Sequence, residues 1–171
     1  MNRLETDVLS APGIDPKLYR DAMARYAGHV QIVTTAHEGV RRGVTITAAC
    51  SVSDSPAMVL ACLNRHNENN DIFLQSGVFA LNTLAAHHKA LADAFAGFAK
   101  MPVDERFAMG EWDELVTGAP ALKDAIATYD CRIVDTKSVS THNIFFGEVV
   151  GLRLGSKDQS LVYMDRSYHA I

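Results

Sequence analysis

The stretch GVTITAACSVSDSP, Gly43 to Pro56, carries Thr45, Thr47, Ser51 and Ser53 among the small residues Ala48, Ala49 and Cys50. Side chains alternate faces along a strand, so the four hydroxyls are expected on one face, with Ile46, Ala48, Cys50 and Val52 on the other. A solvated sheet face needs polar residues, and Thr is a good strand former. The chemical alternative is a slot in which short hydroxyls and small side chains let a flat polar ligand lie against the backbone. Three further stretches could serve such a ligand. CLNR, Cys62 to Arg65, ends an apolar run with an amide and a guanidinium, a pair suited to phosphate or simply to a strand end at the surface. FALNTL places Asn82 inside an apolar run, where its amide must find partners, for instance a carbonyl across the sheet. STHNIFFGEV places His142 at the start of a strand, where it is either a structural residue or a ligand contact.

These residues need strands to hold them, and the chain supplies them. VQIVTTA, VTITAACSVS, AMVLACLN, VFALNTL, ATYDCRIVDTKSV, NIFFGEVVGLRL and SLVYMD all read as β. Asp15-Pro16 opens a helix whose Tyr19, Ala22, Met23, Tyr26 and Ala27 share one face, and Gly28 is expected to end it. Helical segments are also expected near Glu68 to Gln75 and Lys89 to Ala96, closed by Gly77 and Gly97. FAKMPVDERFAMGEWDELVTGAPAL reads as a mixed loop. Helices set between strand pairs do not give the regular alternation of a parallel sheet. The expected fold is mainly β with flanking helices, a closed or split antiparallel β-barrel.

At 171 residues the chain suits one domain, with residues 1–15 a loose segment and 16–171 the domain itself. A net charge of −4 without a Lys/Arg cluster argues against nucleic acid. The longest apolar run, AMVLACL, is too short for a membrane span, and the N-terminus lacks a signal-like apolar stretch. A cytoplasmic location is expected. Cys50, Cys62 and Cys131 are odd in number and read as small buried hydrophobes in a reducing compartment. The dinucleotide and phosphate-loop glycine motifs, G-x-S-x-G, H-E-x-x-H and C-x-x-C are all absent. Adjacent His87 and His88 diverge if helical, which suits surface solvation rather than a shared metal or proton. No metal site is expected.

Taken in order, GVTITAACSVSDSP, VLACLNR, FALNTL, AFAG, STHNIFFGEV and DRSYHA resemble the short-chain flavin reductase family from about Tyr19 to the last residue. CSVSDSP, MPVDERF and DRSYHA are most similar to its reductase-component branch, that of 4-hydroxyphenylacetate 3-monooxygenase and of pyrimidine utilisation. The resemblance implies a split β-barrel homodimer of the FMN-binding type, with Phe145, Phe146 and Tyr163 between subunits. It implies FMN or FAD held without a covalent bond, NADH or NADPH as hydride donor, and a separate flavin-dependent monooxygenase that takes the reduced flavin by diffusion. By the same resemblance Thr45, Thr47, Ala48, Cys50 and Ser51 line the flavin site and Leu63, Asn64 and Arg65 meet its tail. Asn82 lies beside the ring or ribityl chain, and Phe95 to Gly97 close over it. His142, with Arg166, Tyr168 and His169, covers the nicotinamide. Two departures stand out: S-T-H replaces the family's G-D-H, and Pro56-Ala57 replaces Pro-Pro. Direct hydride transfer between two cofactors requires no side-chain acid, base or nucleophile, so no catalytic residue is assigned. The rival readings are a split-barrel flavoprotein with tightly held FMN acting on another substrate, and a flavin-binding module without activity.

Overall fold

The computed structural model describes residues 13–98 and 100–171; most of the expected loose segment at 1–15 lies outside the described residues. Helix α1 spans Pro16–Ala24 and is capped by Asp15, whose Oδ1 accepts from the Lys17 N–H at 2.9 Å. The face that Tyr19, Ala22, Met23, Tyr26 and Ala27 share does not pack inward: Tyr19 is 57% and Tyr26 72% exposed, and no residue of α1 is buried. The helix also ends before Gly28, which instead opens the two-residue strand β1, Gly28–His29.

Seven strands form one antiparallel sheet: β2 (Gln31–His37), β3 (Val40–Ile46), β4 (Ala49–Asp54), β5 (Ala57–Asn64), β6 (Val78–Thr83), β9 (Ala127–Val139) and β10 (His142–Leu154). Their order is β3-β2-β6-β9-β10-β5-β4. β3 and β4 are therefore the two edges of the sheet, yet only Thr47 and Ala48 separate them in sequence. Three Cα steps reach at most about 11 Å, so the sheet has to curl until its edges meet. That is a split barrel, and the Thr47–Ala48 corner is its seam. The run expected to be a single strand thus breaks at its centre. A register shift between Ser51 and Ser53 then leaves Val52 without a cross-strand partner and 45% exposed. The simple division into a wet hydroxyl face and a packed face fails for both reasons.

Neighbouring residues of β2 supply two cores. Val33 faces inward with Val59, Ala61, Leu63, Phe79, Leu81, Cys131 and Phe145, while Phe73 from helix α2 (Ile72–Ser76) joins the same cluster. Ile32 faces outward into a second core with Leu84, Leu91, Phe95, Phe107 and Leu122. This outer core lies under helix α3 (Lys89–Ala96), helix α4 (Val103–Phe107) and the small pair β7 (Trp112–Asp113) and β8 (Ala121–Leu122). The expected mixed loop therefore contains ordered elements. The glycine ends are as expected: Gly77 and Gly97 both take positive φ, 69° and 83°. Gly147 allows the barrel to close around Phe79, since a Cβ there would stand 2.5 Å from the Phe79 ring. Strands β11 (Leu161–Met164) and β12 (Ser167–Ala170) form a hairpin beside β1.

Of the three cysteines only Cys131 is buried; Cys62 is half-buried and Cys50 exposed, because the latter two lie on strands at the seam. Phe145 is 1% exposed inside the barrel, so it cannot lie between subunits. Of the histidine pair, His87 is exposed as expected but His88 is not. His88 is 5% exposed, its ring centroid lies 3.9 Å from that of His87, and both point to Asp124 from 3.1 Å. The Ala85 N–H donates to His88 Nδ1 at 3.1 Å, so the neutral ring carries its proton on Nε2, toward Asp124. Burial holds the His88 pKa below its ordinary value although Asp124 acts in the other direction. His88 therefore caps the turn before α3 and offers no lone pair to a cation.

Candidate functional site

The barrel seam brings most of the sequence-predicted residues together. At the corner the Ala49 N–H donates to the Thr47 carbonyl at 3.0 Å and the Cys62 N–H to the Ala48 carbonyl at 2.9 Å. The chain turns sharply, and the side chains of Thr47 and Ala48 remain exposed. A cleft of about 210 Å³ on one side is lined by Thr45, Thr47, Ala96, Phe98, Tyr163 and Tyr168. A larger cleft of about 430 Å³ is lined by Cys50 and Ser51 together with His29, Thr83 and Tyr129. Gly28 packs against Thr47, where a Cβ would come within 2.8 Å, so the C-terminal hairpin reaches the seam through β1.

The phosphate-type residues stand on the adjoining strand ends. Asn64 pairs with His142 across β5 and β10, and the Arg65 N–H donates to the Thr141 carbonyl at 3.0 Å. Asn64 Oδ1 accepts from the His66 N–H at 2.9 Å, which shapes the turn after Arg65. Arg65 is exposed, and no carboxylate of the described residues pairs with it. The Thr141 hydroxyl lies 2.8 Å from His142 Nδ1. When that hydroxyl donates, His142 presents an Nε2–H donor.

Other predicted residues are placed differently. Asn82 is fully buried: its Nδ2 donates to the Ile32 carbonyl at 3.0 Å and Thr34 Oγ1 at 3.2 Å. Its Oδ1 accepts from the Leu122 N–H at 2.8 Å and Thr128 Oγ1 at 3.1 Å. That amide ties three parts of the core together, with no bonding capacity turned outward. Phe95 is 3% exposed and stacks edge-on against Phe107 and Trp112. Its place above the seam passes to Ala96 and to Phe98, which is 84% exposed. An aromatic directly after the glycine that ends a helix was the available signal for Phe98. Leu63 points into the barrel, leaving only its backbone for a ligand. The Thr45 hydroxyl donates to the Ala92 carbonyl at 2.7 Å and so anchors α3 to β3.

The C-terminal residues are also partly committed. Arg166 pairs with Asp21 of α1 at 2.6 Å, and His169 Nε2 lies 3.0 Å from the Met164 carbonyl within the hairpin. Tyr168 packs on Tyr163 with ring centroids 5.3 Å apart. Burial, and then the Asp93 carboxylate, push its phenol up to about 12, so it remains a protonated donor. The described residues make no hydrogen bond or ion pair between His142 and Arg166, Tyr168 or His169.

Exposed small residues, hydroxyls, an aromatic lip and an exposed guanidinium are a donor set that fits a flat heteroaromatic ring with a phosphorylated tail. The family model for the flavin reductase like domain matches residues 23–171. The chain belongs to that family. It is 47% identical over 162 residues to the FMN reductase (NADH) RutF of Variovorax paradoxus (strain S110), covering 94% of this chain and 89% of the relative. Among solved structures, flavin reductase PheA2 is 32% identical with a TM-score of 0.84, covering 92% of this chain and 99% of that one. Flavin reductase HpaC complexed with NADP+ is 29% identical with a TM-score of 0.82, covering 92% of this chain and 98% of that one. The antiparallel split barrel expected from the sequence is thus the fold of this family.

Proposed function

We propose that the protein is an NADH-dependent FMN reductase that releases reduced flavin to a separate oxygenase component. The observation that carries this reading is the seam corner, where exposed Thr47 and Ala48 lie between two clefts and the Arg65 and His142 strand ends. The similarity to an FMN reductase (NADH) over nearly the whole chain supports the same cofactors. Bound flavin supplies the hydride-accepting ring, and the chain's own residues bind, orient and shield. Ala48 leaves room for the ring against the backbone. Thr47, Tyr168 and Phe98 border the smaller cleft, and Arg65 meets the flavin tail. His142 donates from Nε2 to the nicotinamide amide or a phosphate. An open seam with small exposed residues favours exchange of flavin with solvent over permanent retention, in keeping with delivery by diffusion.

A homodimer completes the proposal. Leu152, Leu154 and Val134 are 57%, 80% and 51% exposed on the long β9–β10 ribbon, apolar surface that a second copy would cover. Among the described residues no helix is long and apolar enough to cross a membrane, and three unpaired cysteines suit the reducing cytoplasm.

His142→Ala tests the nicotinamide assignment. Losing one hydrogen bond to a bound ligand costs about 1 to 3 kcal/mol, so the Michaelis constant for NADH should rise roughly tenfold or more. Flavin affinity should stay nearly unchanged. Steady-state kinetics at saturating FMN measure this, and an unchanged NADH constant with weakened flavin binding would move His142 to the flavin site.

A further inference from the structure

A cleft of about 610 Å³ opens between the β2–β3 hairpin, the loop leading into α2 and the segment leading into α4. Among the described residues, two guanidinium groups in it have no carboxylate partner. Arg42 donates from Nε and Nη2 to a single neutral acceptor, Asn70 Oδ1, at 3.2 and 3.1 Å. Arg106 donates from Nε to the Met101 carbonyl at 2.8 Å, again a neutral partner. Arg41, by contrast, is paired with Asp104 at 3.2 Å and lies 4.4 Å over the Phe107 ring. Glu38, Glu68 and Asp71 also line the cleft but are exposed, and none forms an ion pair with Arg42 or Arg106. Burial, and then the charge of Arg106, lower the pKa of Arg42. Two like charges held together and partly desolvated are unfavourable unless an anion lies between them.

The same arginine is wired to the seam. Asn70 is 6% exposed, and its Nδ2 donates to the Asn64 carbonyl at 3.0 Å, one residue before Arg65. Arg42 therefore braces, through Asn70, the strand end that leads into Arg65. Guanidinium groups recognise phosphate through charged N–H donors; the contacts above engage Nε and Nη2 of Arg42 and Nε of Arg106, leaving Nη1 of Arg42 and both Nη groups of Arg106 for an anion.

We infer that the Arg42–Arg106 cleft seats a phosphate or pyrophosphate group of one of the two nucleotide substrates. This rests on the proposed reductase reading. The flavin phosphate and the NADH pyrophosphate share the required chemistry, and kinetics separate them.

The experiment is calorimetric titration of the full chain with inorganic pyrophosphate, together with Michaelis constants for FMN and NADH. It compares the wild type with Arg106→Gln and Arg42→Gln. Arg106 is the cleaner probe, because Arg42→Gln also releases Asn70 and can loosen the loop. Pyrophosphate should bind the wild type and bind Arg106→Gln about tenfold or more weakly, as expected when a charge-assisted contact is lost. A matching rise in the FMN constant alone assigns the cleft to the flavin phosphate; a rise in the NADH constant alone assigns it to the dinucleotide. Equal pyrophosphate affinity in wild type and Arg106→Gln, or unchanged constants for both nucleotides, would overturn the inference. Wild-type protein that oxidises no NADH with FMN present contradicts the reductase reading instead, and the pyrophosphate titration still decides whether the cleft binds anions.

Discussion

Ala48→Leu should weaken FMN binding by about 5- to 100-fold while shifting the melting temperature by no more than about 2 °C. The first figure follows from sterics: forcing extra methylenes against a closely fitted neighbour costs about 1 to 3 kcal/mol, and each 1.4 kcal/mol is tenfold in affinity. The second follows from exposure. Ala48 lies at the corner between β3 and β4 with its side chain turned to solvent, so a larger residue meets no core atom. Exposed substitutions of this kind usually change stability by less than about 0.5 kcal/mol, which is 1 to 2 °C for a domain of this size. Fluorescence titration with FMN and a thermal melt on the same preparation measure both. Unaltered FMN affinity would mean that the corner is merely solvated.

Asn82→Ala should do the reverse, lowering stability by about 3 to 5 kcal/mol while leaving the FMN constant of the folded protein within about threefold. The substitution strands the Leu122 N–H, the Thr128 hydroxyl and the Ile32 carbonyl in a fully buried site. Each such group costs about 1 to 3 kcal/mol when left without a partner, and the shared network makes the losses interdependent. A midpoint about 10 °C lower is expected for a chain of this length. Chemical denaturation reads the stability, and kinetics well below the melting temperature read the flavin constant. A stable variant with a much poorer FMN constant would instead put Asn82 beside the flavin, as the family resemblance implies.

These two residues show where the sequence was legible and where it was not. Apolar runs with β-branched residues located the seven principal strand regions, because alternation and turn glycines are local signals. Asp15, Gly77 and Gly97 marked helix ends for the same reason. The break at Thr47–Ala48 was invisible, since nothing local requires a well-formed strand to stop. It stops because its two halves belong to opposite edges of a sheet that curls on itself. The roles of Asn82 and Phe95 were hidden likewise. A polar residue in an apolar run reads alike whether it faces a ligand or satisfies Leu122 and Thr128 from other parts of the fold. His88 escaped because its partners, the Ala85 N–H and Asp124, are a turn geometry and a long-range contact. The small and hydroxyl residues at the seam were legible as a group because they follow one another in a single short stretch of sequence.

NADH oxidation by flavin-free protein, followed as FMN is titrated in, shows whether the chain reduces free flavin. The rate should be negligible without FMN and should rise to saturation with it. A rate that is the same with and without added FMN, or no oxidation at any FMN concentration, would contradict the account.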